Sequence, residues 1–339
     1  MPDAIDAVGT GIRVTPEIAS LREAAGFGAS TTAEEVLAGL DLSGRRAIIT
    51  GASTGLGAET ARHLAASGAE LILAVRDCAA GERVAGRIEA EGRRRPQVEV
   101  LDLADLDSVR RFATRVGSRR LDLLINNAGV MGTDHARTMD GFELQFGVNH
   151  LGHFLLTLLL LPDLRAAIPA RIVNLSSAAH IWADVDFGDP HCERRPYHRW
   201  LSYGQSKTAN ILFGVELGRR FEAEGVTAHA VMPGTIADTD LRRYADSEAR
   251  KSMPAFAPVM PGLPRVAIKS LSQGVATILW AATSPDIEGR SGLYLEDCRV
   301  AAPWSEIDPR RGVKDYALDT DRAARLWTLS EKLVGVSAS

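Results

Sequence analysis

Short apolar runs alternate with longer segments of helical period through most of this chain. The runs fall within Ala47 to Ile49, Ala69 to Arg76, Gln97 to Leu101, Leu121 to Ile125, Ala170 to Ser177, Val226 to Val231 and Gly292 to Leu295. Most carry little polar alternation, as expected of strands covered on both faces. Between them, Ala58, Ala61, Leu64 and Ala65 recur at helical spacing up to Gly68, and Asp77 to Glu91 follows suit. Further helices are predicted from Asp105, over Phe142–Leu161, from Tyr203 to Glu224, over Ser270–Ala282 and over Asp319–Val334. In the last, Leu326, Leu329 and Leu333 are expected to face inward. Thr32 with Glu35 has the form of a capping box and predicts a short helix over Ala33–Ala38. About seven strands alternating with helices predict an α/β fold, a doubly wound parallel sheet in one domain. Its bounds are 41–299, with an extension at 1–40 and a C-terminal loop and helix at 300–339 packed on the same domain.

Length and composition narrow the class. The chain has 339 residues, 45% of them hydrophobic, enough for a large single core. A net charge of −4 argues against a nucleic-acid partner. Cys78, Cys192 and Cys298 are far apart, form no metal spacing and suit a reducing cytoplasm. Met1 to Asp6 is acidic with no apolar core, so no signal peptide is expected. The greasiest run, Leu151 to Leu161, is too short to cross a bilayer. A cytoplasmic protein with no membrane partner and no metal is expected.

The first strand runs into Thr50-Gly51-Ala52-Ser53-Thr54-Gly55-Leu56-Gly57 and then a helix. Strand, glycine turn and helix is the layout of a Rossmann-type dinucleotide site. Gly51 can take backbone angles closed to other residues, Gly55 lets the backbone near a pyrophosphate, and Gly57 lets helix pack on strand. The helix start then offers free N–H groups to the phosphates. After the second strand come Val75 and Arg76, where an acidic residue would bind a ribose hydroxyl. Arg76 suits a 2′-phosphate instead, so NADP(H) is the expected cofactor and NAD(H) remains possible. The plainer alternative makes Arg76 a solvated strand end and Asp77 a helix cap.

The form Thr50-Gly51-x-x-x-Gly55-x-Gly57, the element Asn126-Asn127-Ala128-Gly129, and the set Asn149, Ser177, Tyr203 and Lys207 together resemble the short-chain dehydrogenase/reductase family. Within it, Val75-Arg76-Asp77, Asn149 to Phe154, Ser176 to His180 and Tyr203 to Lys207 resemble the retinol dehydrogenase and WW-domain oxidoreductase branch. Tyr294 to Cys298 looks like bacterial members of that branch. The resemblance spans roughly Asp41 to Asp297. It implies that Asp102 and Leu103 lie near the adenine, with Asp102 as a helix N-cap the alternative. It implies that Asn127, Ala128 and Gly129 pass beside the adenosine ribose. Pro233, Gly234, Thr235 and Ile236 would meet the nicotinamide. The family's cofactor-contacting threonine would fall at Asp238; either a shifted Thr239 or Thr235 takes its place, or that contact is missing.

Resemblance also implies a catalytic tetrad. Tyr203 and Lys207, four apart, share a helix face. Free tyrosine has a pKa near 10. Lys207 and the positive nicotinamide are expected to lower it, making Tyr203 the general acid in reduction and base in oxidation. Ser177, rather than Ser176, would polarise the substrate oxygen. Lys207 would also hold the nicotinamide ribose, and Asn149 a proton-relay water. His150 and His153 are expected to be structural or rim residues. Residues 178–202 and 236–268 would form the substrate region, with Trp182, Trp200, Met253, Phe256 and Met260 suggesting an apolar carbonyl or alcohol substrate. The stretch from Ser177 to Tyr203 is long, and is placed to cover the helix face that family members use to form homo-oligomers. A cofactor-binding sensor or scaffold without turnover is the competing function, and the intact tetrad argues against it.

Overall fold

The computed structural model describes residues 26–117, 119–236, 241, 251–254 and 268–337. A parallel core of β1 (Arg46–Thr50), β2 (Glu70–Val75), β3 (Gln97–Val100), β4 (Leu123–Asn126), β5 (Ala170–Leu175), β6 (Val226–Met232) and β9 (Leu293–Glu296) carries the fold. With β10 (Arg299–Val300) at its edge the sheet has eight strands, in the order β10-β9-β6-β5-β4-β1-β2-β3. Ile48 pairs with Ile72 on one side and Leu124 on the other. From β1 the chain moves outward through β2 and β3, then returns to build β4, β5 and β6 on the opposite side. A crevice opens above the C-terminal ends of β1 and β4, where such sheets bind ligands.

Alternate side chains feed two cores. Ile48, Ile72, Leu124 and Ile172 enter one, with Phe112, Phe154 and Leu212. Ile49, Leu73, Ile125 and Val173 enter the other, with Leu64, Ile88 and Ile278. The covering helices are α1 (Ala33–Leu37), α2 (Gly55–Ala66), α3 (Cys78–Ala90), α4 (Leu106–Val116), α5 (Leu144–Arg165), α6 (Arg199–Phe221), α7 (Leu271–Thr283), α8 (Asp315–Leu318) and α9 (Thr320–Val334). The Thr32 hydroxyl accepts from the Glu35 amide in the capping box, as the sequence predicts.

Several elements depart from expectation. The eighth strand exists because Asp297 and Cys298 adopt φ of 50° and 55°. Two positive-φ residues make the tight turn that folds Arg299 back onto Glu296; Asp-Cys does not advertise it as Asn-Gly would. Thr235–Ile236 (β7) and Ile268–Lys269 (β8) form a separate parallel pair near the cavity mouth. Helix α5 is longer than the apolar run, and Gly147–Leu151 within it is a π-turn. By length and composition α5 could cross a membrane, yet 89% of its most apolar stretch is buried in this fold, as befits a core helix. The start of α6 is Arg199, so Tyr203 sits one turn inside the helix.

In α9 the inward stripe is Ala323, Leu326, Trp327, Ser330 and Val334. Leu329 and Leu333 are half-buried beside it. Trp327 packs edge-on against Phe154 at 5.0 Å and lies near Phe213 and Phe221, each at 6.0 Å. Thus α9 covers part of the outer face of α5 and α6. The 178–202 stretch packs on α6, where Thr208 Oγ1 donates to the Ala183 carbonyl at 2.7 Å and Gln205 Nε2 to the Pro190 carbonyl at 2.9 Å. It also packs on residues 132–145: the Tyr197 hydroxyl accepts from Gln145 Nε2 at 2.9 Å and lies 3.1 Å from the Thr133 carbonyl.

Candidate active site

The glycine turn is built for close approach. Gly51 and Gly55 have φ of 68° and 53°, where a side chain is strained. A Cβ on Gly57 would lie 2.4 Å from the Gly51 carbonyl oxygen and 2.6 Å from Asn127 Nδ2. Thr54, ahead of α2, makes no side-chain cap bond, so the first N–H groups of the helix face the cavity uncapped. Under the turn, Thr50 Oγ1 accepts from the amides of Asn127 and Ala128, both at 2.9 Å. Asn127 Nδ2 donates to the Thr50 carbonyl at 2.8 Å. Asn126 Nδ2 donates to Asn174 Oδ1 at 2.8 Å, bracing β4 to β5.

Beyond β2, Val75 is buried and Arg76 is exposed at the cavity edge. Asp77 caps α3 through the Ala80 amide at 3.1 Å, so cap and cavity-lining arginine coexist. Arg83, two turns along α3, lines the same end. Asp102 also lines it; its Oδ1 accepts from the Ala104 amide at 2.9 Å, and Asp105 is the cap of α4.

Ser177, Tyr203 and Lys207 converge on the far end of the cavity. The Ser176 hydroxyl donates to the Lys207 carbonyl at 2.8 Å and is buried. Ser177 is half-buried and hydrogen-bonds to Tyr203. Burial pushes the Tyr203 phenol up to about 12, with the Ser177 bond pulling the other way. Lys207 and the positive nicotinamide are the groups expected to lower the phenol; in the protein by itself burial dominates. Burial also pulls Lys207 down to about 7. Lys207 Nζ donates to the Leu175 carbonyl at 3.0 Å and lies 5.6 Å from the Tyr203 ring centre.

Asn149 sits behind this wall, fully buried, on the π-turn. Its Oδ1 accepts from the Val130 amide at 2.8 Å; its Nδ2 meets the Val130 carbonyl and Ser206 Oγ, each at 2.9 Å. The side chain therefore ties α5 to α6 and to the loop after β4. A carbonyl only accepts, so the 3.0 Å contact of His153 Nδ1 with the Asn149 oxygen puts the ring proton on Nδ1. His153 Nε2 then accepts from Thr50 Oγ1 at 2.9 Å. His150 Nε2 meets Ser330 Oγ at 2.8 Å. Both histidines are structural and buried rather than at a rim.

One cavity of about 770 Å³ joins these groups. It is lined by every predicted cofactor residue except Thr239, which lies outside the described residues, as do Asp238, Phe256 and Met260. Pro233, Gly234, Thr235 and Ile236 close one side. The wall beside Tyr203 is apolar: Met131, Leu144, Val148, Trp182, Trp200 and Met253. Sequence reading missed Arg83, Met131, Leu144 and Val148 as lining residues. Arg83 was legible as an arginine on the polar side of the helix that follows Arg76; the apolar three carried no signal distinct from core.

A family profile described as short chain dehydrogenase matches residues 45–250. The chain is a member of that family. A mouse protein named retinol dehydrogenase 12 is 42% identical over 88% of this chain and 88% of its own length. A Streptomyces lividans protein named as an oxidoreductase is 43% identical over 85% of this chain and 97% of its own. These relatives place the dehydrogenase in the retinol dehydrogenase-like branch of NAD(P)-dependent oxidoreductases. A crystal structure of an uncharacterized protein from Mycobacterium paratuberculosis superposes with a TM-score of 0.67, at 36% identity, covering 88% of this chain and 96% of that one. A Pseudomonas aeruginosa RhlG/NADP complex gives 0.57 at 27% identity, covering 75% and 95%. The short-chain dehydrogenase therefore shares its fold and, across the family, a small-molecule substrate. The glycine cradle, the uncapped helix start and a cavity of about 770 Å³ lined by both fit a bound NAD(P).

Proposed function

We propose that this dehydrogenase interconverts a carbonyl and an alcohol on a hydrophobic or aromatic substrate, using NADP(H). The observation that carries the reading is the single cavity with two arginines at one end and Ser177, Tyr203 and Lys207 beside an apolar wall at the other. Arg76 and Arg83 would hold a 2′-phosphate, since a guanidinium meets phosphate with paired donors. Ser53 to Gly57 would hold the pyrophosphate on backbone amides, Asp102 and Leu103 the adenine side, and Asn127 to Gly129 the ribose. Lys207 would hold the second ribose, and Pro233 to Ile236 the nicotinamide side. The cofactor, when bound, supplies or accepts a hydride at the substrate carbon.

The chain's own residues handle the proton and the position. In reduction the carbonyl oxygen gains negative charge. Ser177 donates to it, and Tyr203, which keeps its proton at neutral pH because burial raises it to about 12, delivers that proton. The product is the alcohol, with one proton taken from the enzyme and replaced from solvent. Lys207, near its own pKa at neutral pH, is placed to pass that proton or to hold the phenolate by charge. Asn149, which braces α5 against Val130 and Ser206, would hold a relay water behind Lys207. The apolar wall excludes water and accepts a greasy substrate, and the name of the mouse relative points to a retinoid-like one.

The test is NADPH oxidation against aldehydes and ketones, retinal included, with NADH in parallel and Tyr203→Phe as control. Turnover that favours NADPH and vanishes in the variant is expected. Tight NADPH binding with no turnover on any carbonyl would favour the sensor instead.

A further inference from the structure

We propose that the segment 303–318, beyond the stretch matched by the family profile, belongs to the active site: the Lys314 amide orients His180, and His180 fixes the turn that presents Ser177. The proposal rests on the role given to Ser177 above.

His180 is fully buried in the short turn Ala178–Trp182 that follows Ser177. Its Nδ1 lies 2.8 Å from the Ser177 carbonyl, which also accepts the His180 amide at 3.1 Å. That carbonyl cannot donate, so the ring proton is on Nδ1. Burial pulls the imidazole down to about 4, so the ring is neutral and Nε2 is bare. Nε2 accepts the Lys314 amide at 3.3 Å. The Tyr316 hydroxyl donates to the His180 carbonyl at 2.6 Å. Both partners come from the C-terminal segment, 134 and 136 residues away in sequence.

That segment is itself held. Trp304 donates to Val313 at 2.8 Å, Val313 to Ala302 at 3.0 Å, and the Gly312 amide to Glu296 Oε1 at 3.1 Å. Val313 and Ala317 are buried against Ile211 of α6 and Tyr294 of β9. A chain of fixed contacts thus runs from the sheet edge, through Lys314 and His180, to the backbone that carries the Ser177 hydroxyl. His180 is a positioning residue; it does not touch the cavity.

Lys314 has φ of −72°, which proline adopts, and Val313 before it is in an extended bridge. Lys314→Pro removes the amide donor, whereas Lys314→Ala keeps it, and both lose the ammonium that sits over Trp304. His180→Phe removes the ring's polar contacts with Ser177, Lys314 and the Tyr294 hydroxyl, whereas His180→Asn keeps a donor near the place of Nδ1. The readouts are kcat and KM for retinal reduction, the NADPH dissociation constant, and amide exchange over 176–183. Expected is a roughly tenfold or greater fall in kcat for His180→Phe, and for Lys314→Pro relative to Lys314→Ala. NADPH affinity should hold within twofold, His180→Asn should recover most of the loss, and 176–183 should exchange faster in Lys314→Pro than in Lys314→Ala. Equal exchange in the two Lys314 variants would overturn the proposal, whatever the substrate. So would equal losses in His180→Phe and His180→Asn, or a parallel fall in NADPH affinity. Ser177→Ala separates the two ideas: full turnover there would remove the role of Ser177, while lost turnover with unaltered His180→Phe would remove only the positioning.

Discussion

Adding one methyl group at Gly57 tests the cradle directly. In Gly57→Ala the new carbon would meet the Gly51 carbonyl oxygen at 2.4 Å and Asn127 Nδ2 at 2.6 Å, both well inside van der Waals contact. Neither neighbour is a loose end. The first is backbone, and the second is held by its 2.8 Å bond to the Thr50 carbonyl. Relief requires α2 to move off the turn, which pulls its uncapped amides away from the phosphate position. Overpacking of this kind costs about 1–3 kcal/mol. Alanine returns up to about 1 kcal/mol of helix propensity, so folding stability should fall by no more than about 2 kcal/mol. Cofactor binding has no such offset, and about 1–3 kcal/mol is a roughly five- to 150-fold rise in the NADPH dissociation constant. Calorimetric titration with NADPH measures it, with Tm recorded alongside. Gly86→Ala is the control: the nearest atom to its added carbon is Arg95 Nη1 at 3.7 Å, so affinity should not move. An affinity within twofold of the parent for Gly57→Ala would refute the account of the cradle.

Other outcomes follow from the same geometry. Tyr203→Phe removes the proton donor and should lower kcat by about 10²–10⁴ with little change in NADPH affinity; unchanged turnover would sink its role. Arg76→Ala should raise KM for NADPH about tenfold or more, and KM for NADH hardly at all, since charge-assisted bonds contribute about 1.5–3 kcal/mol; equal effects on both cofactors would remove the phosphate assignment. His150 and His229 are pulled down to about 3, and His153 and His180 to about 4, all by burial. Each has a folded pKa below its unfolded one, so stability is full above pH 6.5 and declines as the unfolded chain takes up protons below it. Each should contribute a loss of up to roughly 2 kcal/mol between pH 6.5 and 5, seen by urea unfolding at pH 7 and pH 5. A flat profile would mean that these imidazoles bind protons inside the fold.

The parallel core was legible because β1, β2, β4, β5 and β6 are buried on both sides and read as apolar runs. The glycine turn and the Asn149, Ser177, Tyr203, Lys207 set were legible because that chemistry needs particular residue types at fixed spacing. Three things were hidden. The β9–β10 hairpin depends on positive φ at Asp297 and Cys298, residues that do not announce it. The inward stripe of α9 is set by where Trp327 finds room among Phe154, Phe213 and Phe221, a matter of tertiary packing. The state of Tyr203 depends on the balance of desolvation against charge, which spacing cannot weigh.

The π-turn at Gly147–Leu151 works as a phase shifter. Each helical residue advances about 100° around the axis, so one widened turn re-aims everything beyond it. Ahead of the shift, Gln145 reaches Gly132 and Tyr197; within it, Asn149 braces Val130. Past it, His153 meets Thr50 and Phe154 meets Trp327. The two halves of α5 thus obey different angular registers. Deleting a single residue between Gly147 and Leu151 would straighten the helix and swing one half out of alignment, whereas most substitutions there would leave the phase intact. In length variation among relatives, this short window of α5 should show no loss of a residue.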